Sequence, residues 1–93
     1  RDISIDDLMD RSPGGHLLEM ISSAATATPG VRYIEKLKVR KVGFGYYVDL
    51  HVQAEPTMTL REAHNLSGRV KSEIRTAVPE VAGVLIHMEP HEV

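Results

Sequence analysis

The chain has 93 residues, 42% of them hydrophobic and 26% charged, with a formal net charge of −2 and no cysteine. That length fits one domain with a modest core, and the missing thiols exclude a disulfide framework or a thiolate zinc site. Without a basic surplus, and with only 4% aromatic residues, nucleic acid is not an expected partner.

Residues 1 to 12 open with RDISIDDLMD, an acidic stretch read as a linker or lead-in. Asp6, Asp7 and Asp10 are possible hard-cation ligands, although no pattern fixes their geometry. No run reaches the roughly 18 apolar residues of a membrane span, and no signal peptide is recognisable. The start at Arg1 suggests a soluble piece of a longer chain. Ser12 is a candidate N-cap, with Pro13 at a first helical position where its missing N–H costs nothing.

From His16 to Thr28, Leu17, Leu18, Met20, Ile21, Ala24 and Ala25 recur at helical spacing, and Thr28-Pro29-Gly30 ends the helix. Val31 to Val42 reads as a strand with Leu37 and Val39 on one face and Lys36, Lys38 and Arg40 on the other. Gly43-Phe44-Gly45 turns the chain. Tyr46 to Gln53 then alternates strictly, which predicts an antiparallel hairpin with Val48, Leu50 and Val52 inward and Asp49 and His51 on the opposite face.

Thr59-Leu60-Arg61-Glu62 has capping-box spacing. It opens an amphipathic helix marked by Leu60, Ala63, Leu66 or Ser67, Val70, Ile74 and Ala77 and closed by Val78-Pro79. Val81 to Met88 is the last strand, and it places His87 and Glu89 together, because residues i and i+2 share a face.

Helix, strand, strand, helix, strand is an α+β, ferredoxin-like pattern, with two helices expected on one face of a three-stranded mixed sheet. The second strand, second helix and last strand form a β-α-β crossover, so those two strands run parallel and end at the same edge. His51 and His87 then become neighbours, as do Asp49 and Glu89, while His64 begins the helix that leaves that edge. Imidazole and carboxylate together suit zinc or another first-row divalent ion. His16 and His91 lack this convergence and are read as solvated.

The residues Pro29-Gly30-Val31, Val48-Asp49-Leu50-His51-Val52, Leu60-x-Glu62-Ala63-His64 and Ile86-His87-Met88-Glu89-Pro90 together resemble the cytoplasmic C-terminal domain of cation diffusion facilitator transporters. Asp7-Leu8-Met9-Asp10 resembles the segment that follows the last transmembrane helix in that family. The resemblance implies residues 13 to 93 as a regulatory domain at the cytoplasmic face of a membrane and a homodimer attached to its own transmembrane domain. It also implies a divalent cation, zinc first and otherwise iron, manganese or cadmium, bound near the dimer interface and favouring the transport-competent state. His51, His64 and His87 fall on positions that ligate zinc in some members, and Glu89 stands where those members often carry aspartate. Glu35 occupies the place of a histidine found in binuclear members, so the implied site is harder.

Two other classes remain in play. One is a purely structural dimerisation domain without a functional metal site. The other is a metal-assisted hydrolase using Glu62 or Glu89 as base, disfavoured because a sheet this small offers little concavity and no G-x-S-x-G occurs.

Overall fold

A computed structural model describes residues 2–4 and 13–92. The elements are β1 (Asp2–Ser4), α1 (Pro13–Ala27), β2 (Tyr33–Val42), β3 (Gly45–Ala54), α2 (Leu60–Ala77) and β4 (Val81–Pro90). Asp6, Asp7, Asp10 and Ser12, named above as possible ligands and a cap, lie outside the described residues, as does the segment Asp7 to Asp10.

The α-β-β-α-β order and the mixed sheet stand: β2 and β3 are antiparallel, and β3 and β4 are parallel. One edge differs from expectation. Within the stretch read as lead-in, Asp2–Ser4 pairs antiparallel with Arg40 to Lys38, giving a four-stranded sheet in the order β1-β2-β3-β4.

Both helices lie on one face. Leu18, Ile21 and Ala25 of α1 and Leu66, Val70 and Ile74 of α2 are fully buried, as are Leu37, Val39, Leu50 and Val52 from the sheet. At about 1.5–3 kcal/mol per fully buried aliphatic side chain, this layer dominates the stabilisation. Thr28 closes α1, its hydroxyl donating to the Ala24 carbonyl at 2.9 Å, and Gly30 takes φ +103°, a conformation that favours glycine. The predicted capping box is present: the Glu62 amide donates to Thr59 Oγ1 and the Thr59 amide donates to Glu62 Oε1. Leu60 departs from its expected place in the stripe and is 88% exposed, because the first helical residue precedes the turn that reaches the core.

Strand β2 does not alternate evenly. Ile34 and Leu37 both face the core although three residues apart, which requires one extra residue between them. The β2–β3 register shifts between Glu35 and Lys38, and Lys36 adopts φ +56° there. A β-bulge thus restores the inward phase for Leu37 and Val39. The hairpin loop is Gly43-Phe44, with Val42 paired to Gly45; a positive φ at Gly43 alone fits a type II′ turn.

Candidate metal centre

The sheet face opposite the helices carries the polar half of each alternating strand. On β3, burial of Val48, Leu50 and Val52 turns Asp49, His51 and Gln53 to this open face. On β4, Val84, Ile86 and Met88 pack against the core, so Leu85, His87 and Glu89 share it. The parallel register sets His51 opposite His87, Asp49 opposite Leu85 and Gln53 opposite Glu89.

The two imidazoles stack with centroids 4.3 Å apart and planes 14° from parallel. His51 Nδ1 lies 2.7 Å from Glu89 Oε2, and His87 Nε2 lies 3.1 Å from Asp49 Oδ1. Asp49 and Glu89, expected to be neighbours, therefore stand at opposite ends of the histidine pair, each bonded to the imidazole of the other strand. The reason is register: Asp49 sits two residues before His51, whereas Glu89 sits two residues after His87.

An ionised carboxylate only accepts hydrogen bonds. With Glu89 ionised, a neutral His51 donates from Nδ1 and keeps Nε2 as a lone-pair nitrogen. A carboxylate fixing an imidazole tautomer is the usual support of a metal-ligating histidine. Glu89 is held below the ordinary carboxylate range first by the His51 hydrogen bond, opposed by desolvation, with further lowering from the Lys36 charge and from either histidine when it is protonated.

Ligand atoms of Asp49, His51 and His87 all lie within 4.8 Å of one another. With Glu89 on His51, this donor set of imidazole and carboxylate fits a first-row divalent cation. Glu35 is placed beside the cluster rather than in it. It pairs with His51 across β2 and β3, and its Oε1 accepts from Gln53 Nε2 at 3.3 Å. His64 is exposed near the start of α2 and lies outside the described cluster.

Two participants were not anticipated. Gln53 connects Glu35 to His91, whose Nδ1 lies 2.8 Å from Gln53 Oε1. His91 is half-buried rather than solvated, because its amide donates to the Ala54 carbonyl at 2.7 Å and extends the strand pairing. Gln53 shares the open face with Asp49 and His51 in the β3 alternation, which is the sequence signal for it. The sequence held no comparable signal for His91, which follows Pro90.

A family profile described as cation efflux protein, cytoplasmic domain, matches residues 13–91. The chain belongs to the cation efflux protein family. Among curated cation efflux relatives, the cation-efflux pump FieF of Yersinia pestis is 32% identical over 94% of this chain and 29% of its own length. Metal tolerance protein C1 of Arabidopsis thaliana is 31% identical over 94% of this chain and 18% of its own. The manganese efflux system protein MneP of Bacillus subtilis is 25% identical over 95% and 30%. The chain thus spans less than a third of these curated relatives. Among solved structures, a cysteine-to-serine variant of the MamM CTD is 26% identical with a TM-score of 0.82, over 87% of this chain and 100% of that one. The fold of this cation efflux domain is that of the MamM CTD. No helix among the described residues is long and apolar enough to cross a membrane.

Proposed function

We propose that this chain is the regulatory, dimerising cytoplasmic domain of a divalent-cation efflux transporter. In this reading it binds zinc or a similar ion on its open sheet face and couples that binding to transport by a membrane domain. The observation that carries the reading is the stacked His51–His87 pair with a carboxylate at each end, on the sheet face away from the helices.

Asp49, His51, His87 and Glu89 would hold the ion. Glu35 stands one strand away, and His64 would reach such a site only from a second protomer, since its own chain keeps it on the helix layer. A divalent ion held by this cluster and completed by a ligand from a second copy would bridge the two copies, which is the switch the metal supplies. The MamM CTD has been solved in a zinc form and a cadmium form, in keeping with a divalent ion here. The relatives are efflux proteins, so transport rather than enzymatic turnover is the activity we assign to the whole protein.

One observation favours a structural role without metal. Both histidines are already paired with carboxylates, so the cluster satisfies itself. Small-angle scattering with and without zinc separates the two readings. The regulatory reading predicts a dimer whose dimensions contract on adding zinc, and a dimer indifferent to zinc, manganese and cadmium would leave only the structural role.

A further inference from the structure

Glu35, Gln53 and His91 form a chain of contacts beside the histidine pair. Glu35 is the backbone partner of His51 across β2 and β3, and directly opposed side chains of an antiparallel pair start only about 5 Å apart. Its carboxylate nevertheless reaches along the diagonal to Gln53, whose Nε2 donates to Glu35 Oε1 at 3.3 Å. The chemistry of His51 explains the choice. A neutral His51 gives its Nδ1 proton to Glu89 and keeps only a lone pair at Nε2, so it offers a second carboxylate no donor. Gln53 does. Its Oε1 lies 2.8 Å from His91 Nδ1, and the reversed amide would set that oxygen against the Glu35 carboxylate, two acceptors facing each other. The amide therefore has one orientation, and a neutral His91 carries its proton on Nδ1.

A cation on the cluster reverses what favours Glu35. It would draw a further carboxylate toward the ligand atoms of Asp49, His51 and His87, where Glu89 already supports His51. Imidazole suits zinc, whereas carboxylate suits manganese. We propose that Gln53 is a positioning residue that sets cation preference: its amide, oriented by His91, holds Glu35 back and keeps the cluster rich in imidazole. A hydrogen bond to a charged carboxylate is among the stronger kinds, so it can compete with the pull of the ion. Released from Gln53, Glu35 would make the donor set harder and tilt it toward manganese. The consequence for cation preference rests on the metal reading, while the hold on Glu35 is a property of the metal-free chain.

The test is calorimetric titration of zinc and of manganese into the parent chain, Gln53→Leu, Glu35→Gln and the double variant. Gln53→Leu keeps a side chain of similar size and removes the donor. It should tighten manganese binding about tenfold relative to zinc. The same substitution in the Glu35→Gln background should leave the ratio of the two affinities unchanged. Circular dichroism of each variant should match the parent, since Glu35 and Gln53 are only half-buried. Nitrogen NMR of the metal-free parent, at a pH where the imidazoles are neutral, should find the His91 proton on Nδ1, and Gln53→Leu should lose that preference. The proposal is overturned by a His91 proton on Nε2 in the parent, by an unaltered manganese-to-zinc ratio in Gln53→Leu, or by an equal shift in the Glu35→Gln background. With zinc bound by the parent, each of these results leaves the metal reading standing. A parent that binds neither ion sinks the metal reading and the selectivity claim together.

Discussion

His51 and His87 face each other across two parallel strands with their rings 4.3 Å apart; His51 is hydrogen-bonded to Glu89 of the opposite strand, and His87 Nε2 lies 3.1 Å from Asp49 of the opposite strand. Two imidazoles this close would repel if both were protonated, so acid strains the cluster while a divalent ion relieves it. Glu89, held below the ordinary carboxylate range by the His51 hydrogen bond, stays ionised wherever an imidazole is free to ligate. Protonation of imidazole therefore limits metal binding on the acid side. Zinc affinity followed by calorimetry should fall as the solution is acidified, because protons and the metal compete for the imidazole nitrogens.

Lys36 has two unfavourable features. It holds φ +56° in the β2 bulge, a left-handed conformation that costs about 1–2 kcal/mol for a residue with a Cβ. Its positive charge also acts on Glu89, and so opposes a cation at the cluster. Lys36→Gly should raise stability by up to about 1 kcal/mol, after allowing for the greater freedom of glycine in the unfolded chain. Zinc affinity should rise about two- to fivefold. Urea midpoints and calorimetry check the two effects separately.

The capping box predicts an acid-dependent stability. Glu62 has its pKa lowered chiefly by the backbone hydrogen bond from Thr59, then by the Thr59 side chain. A carboxylate with a lowered folded-state pKa contributes stability that is complete above its unfolded value and is lost as pH falls through the folded one. Thr59→Ala should cost about 1 kcal/mol near neutral pH. The gap in thermal midpoint between parent and variant should narrow below about pH 4, where the carboxylate takes up its proton.

Leu50 lies between Asp49 and His51 with its side chain fully buried. Leu50→Ala should cost about 2–5 kcal/mol in urea unfolding. It also loosens the strand that aligns the cluster, so zinc affinity should drop without loss of any ligand.

Much of this was legible in the sequence, for identifiable reasons. The alternation from Tyr46 to Gln53 fixed which β3 residues face the core, and the crossover rule fixed β3 and β4 as parallel, so His51 opposite His87 followed. Thr59 and Glu62 announced the start of α2. The bulge at Lys36 was not legible, because a register shift in one strand is set by what its neighbour can pair with, not by its own pattern. The partners of Asp49 and Glu89 escaped for a related reason: spacing places them on the right face, but the direction in which each side chain reaches depends on the register. Strand β1 is three residues long, too short to show a period. Glu35 came from the family resemblance and His64 from the crossover topology, but His64 lies outside the cluster on its own chain.

Whether the open face binds metal through its histidine pair decides between the regulatory and the structural role. Calorimetric titration of zinc into the domain and into a His51→Ala/His87→Ala variant, at neutral pH, tests this most directly. Saturable binding by the parent, with proton release and at least about a hundredfold loss in the variant, is the predicted result. Equal zinc affinity in the two proteins would contradict the site assignment and, with it, the regulatory role.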